Sequence, residues 1–177
     1  LVSVDQLSLM QKLLVRVLGV FFSLPVVLLG FCAGKISLEN VSYARSFFDG
    51  LAPVSAVLAS RRWHPLSGGI YSFDCTYAIV RLDENAPHDP PTAIDGREWN
   101  FWFGGGWLPT PAKSPRREND HDTIHECADH FGPALAAELG DSLAQPGSWY
   151  VSRGGGEETL DIWSPTKRLA AHIRIGD

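Results

Sequence analysis

The densest run of side chains able to do chemistry is His121-Asp-Thr-Ile-His-Glu-Cys-Ala-Asp-His130. On a helix, His121 and His125 stand one turn apart and face the same way, as two imidazoles must to share a zinc ion, and Glu126 and His130 are close enough in sequence to complete the ligand set. Such a centre would support metal-assisted hydrolysis. The run is not a zincin helix, in which Glu directly follows the first His; Asp122 takes that place and reaches less far. The plainer reading is a polar helix start whose acidic residues favour the positive end of the helix dipole. Cys127 is a second candidate, a thiol nucleophile with His130 three residues on as its base, but a disulfide at Cys127 would remove it. The chain has no Gly-x-Ser-x-Gly elbow, and neither triple-glycine segment opens a helix as a phosphate loop would. No cofactor is expected, and zinc is the one candidate.

Aromatic side chains carry a different kind of chemistry. Alternation over 99–103 sets Trp102 on the face opposite Trp99, Phe101 and Phe103, and Trp107, Trp149 and Trp163 add further indoles. A small core cannot hide them all on one face, so Trp99, Trp102 and Trp107, with Arg174, are candidate binding residues of a recognition surface. A helix covering both faces is the ordinary alternative. A further reading places a small-ligand pocket between a helix and the C-terminal strands, with His172 and Arg174 as its polar contacts.

The chain before these residues is greasy. Val17 to Gly34 contains no charged residue, and Lys12 and Arg16 stand just ahead of it. A helix of that length spans roughly 27 Å, enough for a thin bilayer core if Leu13 to Val15 join it. Residues 12–34 therefore read as a single-pass transmembrane anchor contacting the lipid bilayer. Lys12 and Arg16 favour a cytoplasmic N-terminal side, which puts the C-terminal domain outside the cytoplasm. The alternative is a signal peptide cleaved near Gly34, leaving a secreted or periplasmic chain. Residues 1–11 read as an extension, with Met10 a candidate true start.

The whole chain carries a net charge of −5, and residues 1–34 contribute Lys12 and Arg16 against Asp5, so the exported part is more acidic still. With no dense Lys/Arg stripe, nucleic acid is excluded as a partner class. Outside the apolar segment the cysteines are Cys75 and Cys127. Export to an oxidising compartment permits a disulfide between them.

Around these residues the expected elements are as follows. Residues 37–60 show apolar spacings of three and four and read as a juxtamembrane amphipathic helix interrupted at Gly50 and Pro53. Ile70 to Leu82 alternate and read as a strand whose second half is apolar on both faces, hence central. Arg97 to Phe103 read as a second strand. A helix capped by Asp120 or Asp122 runs to Gly140, with a kink or restart at Pro133. Ser148–Arg153, Glu158–Trp163 and Arg168–Ile175 form a meander, the last strand having Leu169, Ala171, Ile173 and Ile175 on its apolar face and Arg168, His172 and Arg174 on a wet one. The fold class is α+β: a transmembrane helix (12–34), a helical region (35–66), and a globular domain (67–177) with an antiparallel sheet of about five strands and one or two packed helices.

The expected function is that of a membrane-anchored, envelope-facing domain of periplasmic type. It would bind another macromolecule without catalysis, as an accessory subunit of a membrane assembly or a toxin-neutralising partner. The alternative is a metal-dependent envelope hydrolase using the His121/His125 helix.

Overall fold

A computed structural model of the chain describes residues 27, 34, 38–40, 42–62, 75–92, 103–112, 119–154 and 158–176. Contacts divide the chain into two compact units, Leu1–Glu39 and Asn40–Asp177. Among the described residues no helix is long and apolar enough to cross a membrane. The expected membrane segment, 12–34, lies outside the described residues except for Val27 and Gly34.

The second unit is a small α+β domain built on a six-stranded antiparallel sheet with three helices. In chain order its elements are α1 (described here over residues 42–48), β1 (Val54–Arg61), β2 (Cys75–Leu82), β3 (Leu108–Pro109), α2 (Asn119–Phe131), α3 (Pro133–Ala144), β4 (Trp149–Arg153), β5 (Glu158–Ser164) and β6 (Leu169–Ile175). The strand order is β1-β2-β6-β5-β4-β3. The meander β4-β5-β6 and the central place of β2 follow the expectation. Of the expected strand at 97–103 only Phe103 is described; it is buried and lies outside any strand.

Residues 54–61 correct the sequence reading, because they form an edge strand and not a helix. Their pairing with β2 slips between Val54 and Ala56 and again between Val57 and Ala59, so two β-bulges each insert one extra residue. Val54, Val57 and Ser60 then pair with Leu82, Val80 and Ala78, all on one face of β2. Their spacing of three imitates a helical stripe.

β2 and β6 run side by side; β2 is apolar on both faces over its second half and β6 is largely buried on both, so the sheet needs cover on each side. On one face Cys75, Tyr77, Ile79, Leu160, Ile162 and Ile173 pack against Ile124 and Cys127 of α2 and Leu139 and Leu143 of α3. Leu139 and Leu143 fall one turn apart, which carries α3 past the expected stop at Gly140. Between the helices Gly132 sits at φ 93° and Pro133 opens α3, the restart expected from sequence. Tyr77 donates from its hydroxyl to the His130 carbonyl at 3.2 Å, tying the end of α2 to β2. On the other face Ala78, Val80, Leu82, Trp163 and Ala170 are covered by Tyr43, Ala44 and Phe48 of α1 and by Phe103.

Cys75 and Cys127 form a disulfide with their Cα atoms 5.7 Å apart, linking the first residue of β2 to the middle of α2 across 52 residues of chain. Arg81 clamps the same layer further along, donating to both carboxylate oxygens of Glu138 at 2.6 and 3.0 Å and to the Lys167 carbonyl at 2.9 Å. The Arg81 hydrogen bonds hold the Glu138 carboxyl below its usual pKa.

Two measurements follow from these links. Reducing the disulfide, or replacing Cys127 by Ala, is expected to lower unfolding stability by about 2–5 kcal/mol, read from urea titrations with and without reductant; equal midpoints would show that the link does not constrain the chain. Glu138→Gln is expected to cost less than about 1 kcal/mol at pH 7, because the pair is half-exposed. A depressed carboxylate pKa stabilises above the unfolded value of about 4.3 and loses that contribution as pH falls through the folded value, so variant and wild type should converge in urea titrations near pH 3.

Candidate functional site

The α1-covered face changes character toward one end of the sheet. Thr76 pairs with Arg174, Arg174 with Thr159, and Thr159 with Arg153, so register alone lays a row of hydroxyls and guanidiniums across four strands. The next row inward is Ala78, His172, Asp161 and Val151. Apolar residues resume beyond it.

Asp161 is 0% exposed and His172 1%. A buried carboxylate survives only when its oxygens are satisfied, and each oxygen of Asp161 is. Oδ1 accepts from His172 Nδ1 at 2.7 Å, and Oδ2 accepts from the Gly104 amide at 2.9 Å and from Arg153 Nη1 at 3.0 Å. The carboxylate is an acceptor, so the imidazole proton of this contact sits on Nδ1. Arg153 Nη2 donates in turn to the Gly104 carbonyl. The Asp161–Arg153 pair thus holds both main-chain polar groups of Gly104 in the 103–107 loop. His172 is stacked beneath Phe47, ring centroids 4.5 Å apart and 25° from parallel.

This arrangement overturns the expected wet face of β6. His172 projects from the predicted side, yet α1 lies over it and seals it in. β6 is also a central strand, between β2 and β5, with no free edge.

Gly104 is shaped for its place. Its φ is +80°, and a Cβ there would stand 2.5 Å from the Trp107 indole nitrogen. Trp107 packs edge-on against Phe103 at 5.3 Å between ring centroids and donates from Nε1 to the Pro91 carbonyl at 2.8 Å. This predicted binding residue is therefore half-buried on the same sheet face as Arg174. Trp99 and Trp102 lie outside the described residues.

Above the row, Tyr43 of α1 is 7% exposed, and among the described residues its hydroxyl has no hydrogen-bond partner. Burial pushes its pKa well above the ordinary phenol value, opposed by the nearby positive charges of Arg174 and Arg62. Arg62 directly follows β1, and its backbone amide donates to the Asn40 side-chain oxygen at 3.0 Å.

The predicted metal residues lie on α2, against the opposite face. His125, Glu126 and His130 are exposed, and the side chain of His121 lies outside the described residues. His130 Nδ1 faces Arg61 Nη1 at 3.0 Å; a guanidinium only donates, so this nitrogen is the acceptor. Among the described residues no group of three or more His, Cys, Asp or Glu is placed to hold a metal ion. Cys127 is in the disulfide, which removes the thiol nucleophile.

A groove of about 470 Å³ opens elsewhere, between the end of α1 and the start of β1. Arg45 and Asp49 are its charged groups.

Sequence reasoning named His172 and Arg174 but missed Asp161, Arg153 and Tyr43. A signal for Asp161 was present. The β5–β6 hairpin turns at Pro165 to Arg168, closing with an Arg168 amide to Pro165 carbonyl bond of 3.1 Å, and that turn sets Asp161 opposite His172.

Fold and site together define an α+β domain with a sealed imidazole–carboxylate pair beneath a half-open arginine row. Compared with protein-family models, curated proteins and solved structures, the chain matches none.

Asp161→Asn is expected to cost about 3–5 kcal/mol in urea unfolding, since an amide nitrogen would confront donors that now meet a buried carboxylate. A loss under 1 kcal/mol would show that the pair does not hold the face together.

Proposed function

We propose that this chain is a membrane-anchored, envelope-facing domain that binds another macromolecule, specifically a protein partner, and turns over no substrate of its own. One observation carries the reading. The side chains most like catalytic machinery, His172 and Asp161, are closed off beneath α1, while Arg62, Arg153 and Arg174 on the same face are half-exposed. Chemistry that water and substrate cannot reach serves to position; partly solvated guanidiniums beside an indole serve to contact.

The compartment belongs to the same proposal. A disulfide between two buried cysteines persists in an oxidising environment, which supports export by the apolar segment 12–34 as anchor or as a signal cleaved near Gly34. An accessory subunit of a membrane assembly and a toxin-neutralising partner are the two roles such a domain suits.

A photo-crosslinking amino acid at Arg153 in intact cells is expected to capture one discrete protein outside the cytoplasm. The same group at Glu126, exposed on α2 against the opposite face, is expected to capture none. Equal capture at both positions, or none at Arg153, would overturn the proposal.

A further inference from the structure

We propose that the groove between the end of α1 and the start of β1 binds an α-amino acid with an apolar side chain, Arg45 taking its carboxylate and Asp49 its ammonium group. The inference goes beyond the protein-binding reading and concerns a different place. The groove lies at the β1 edge, whereas Arg153 is on β4, with β2, β6 and β5 between them.

The chain builds this groove from local turns. Gly50 sits at φ 75°, a left-handed conformation that glycine adopts without strain, and it turns the chain out of α1. The Leu51 and Ala52 amides both donate to the Phe48 carbonyl, at 2.9 and 3.3 Å. The Pro53 carbonyl accepts from the Asp83 amide at 2.9 Å, which fixes the start of β1. The Ser55 hydroxyl bonds to the Arg81 and Leu82 carbonyls at 3.1 and 3.2 Å, and the two bulges bend the strand just beyond. Both walls are thus set by the fold's own hydrogen bonds, and a preformed groove keeps the entropic cost of binding low.

Floor and rim differ in chemistry. Ala52, Val54 and Val57 are partly buried where the α1-side core reaches the surface, and the buried Phe48 lines the groove with them. A floor of that kind takes hydrocarbon. On the rim Arg45 and Asp49 are exposed, four residues apart at the end of α1. Among the described residues neither has a hydrogen bond or an ion pair, and they do not pair with each other. In this they differ from Arg61, Arg62, Arg153 and Arg174, each of which interacts within the fold. Asp49 directly follows the last turn of α1, where the helix carbonyls make the local potential negative and favour a cation. Carboxylate and helix end therefore call for the same positive group, and the Arg45 guanidinium calls for a negative one beside it.

A ligand that meets both charges carries an ammonium and a carboxylate close together, with a hydrocarbon group next to them. That is the constitution of an apolar α-amino acid. The arginine fork matches the two carboxylate oxygens. The volume of about 470 Å³ falls within the range of small-molecule sites, roughly 300–1,000 Å³. A polyanion would meet repulsion from Asp49, and a hydrocarbon alone would leave both charges unmet. An ethanolamine lipid headgroup shares the paired charges, but its hydrocarbon begins beyond the glycerol, out of reach of the floor.

The test uses the purified full chain in detergent and L-leucine, read by isothermal titration calorimetry. Saturable one-to-one binding is expected, with glycine, which lacks the side chain, weaker by about tenfold or more. Arg45→Gln and Asp49→Asn are each expected to weaken leucine binding about tenfold, as loss of one charge-assisted contact does, with the urea midpoint unchanged because both side chains are exposed. Analogues separate the two roles. N-acetyl-leucine has no ammonium group and should bind wild type and Asp49→Asn alike; leucinamide has no carboxylate and should bind wild type and Arg45→Gln alike. Glu126→Gln, on α2 against the opposite face, should bind leucine as wild type does.

No saturation by about 10 mM leucine would overturn the proposal. So would equal affinity of wild type, Arg45→Gln and Asp49→Asn for leucine. N-acetyl-leucinamide binding as tightly as leucine would also sink it, since the groove would then read hydrocarbon alone, as one that docks a peptide does. Phosphoethanolamine binding more tightly than leucine would sink it in favour of a lipid headgroup. Crosslinking at Arg153 probes the other end of the sheet, so that result and the leucine titration stand or fall separately.

Discussion

Two neighbouring strands that are largely buried on both faces, β2 and β6, dictate the rest of the domain. A strand of that kind cannot face water on either side, so it requires a layer above and a layer below. α2 and α3 supply one, pinned at Cys127 by the disulfide and drawn in through Leu139 and Leu143. α1 and the 103–107 loop supply the other, through Ala44, Phe48 and Phe103. The remaining strands extend the sheet outward, with the two-residue β3 ending one side and the bulged β1 the other. Short and bulged edges resist pairing with other chains.

The second layer differs from the first in holding buried charge. His172, Asp161 and Arg153 form a network in which the carboxylate is fully met by donors, and its position next to Gly104 explains how a loop of consecutive glycines is held against the sheet. Phe47 and Phe103 close the network from above with edge and stacked ring contacts. Inward the face is apolar; outward it passes into hydroxyls and guanidiniums. That gradient, from sealed pair to half-open row, is the basis for reading the face as one that contacts a partner.

Much of the fold was legible in the residues. The alternation in 70–82, the three C-terminal strands and the break at Gly132-Pro133 all have local causes; the structure contains the strand over Cys75–Leu82, the three C-terminal strands and the break, while residues 70–74 and 155–157 lie outside the described residues. The disulfide partners were legible too, because the chain outside its apolar segment holds only two cysteines. β1 was not legible as a strand. Its bulges place Val54, Val57 and Ser60 on one face at intervals of three, and no local rule distinguishes that spacing from a helical stripe. The site was half legible: Arg174 and Trp107 were named for their types, whereas Asp161 became visible only with the hairpin register.

What the sequence determined by itself was periodicity, punctuation and chemical inventory, since each depends on residues a few positions apart. Only tertiary structure decided which polar side chains are covered. His172 and Arg174 stand two residues apart on the same face of β6, yet one is sealed under α1 and the other reaches the rim. The difference comes from where Phe47, more than a hundred residues away in the chain, comes to rest on the sheet. Burial is a property of that packing, and strand alternation specifies only the side from which a residue projects.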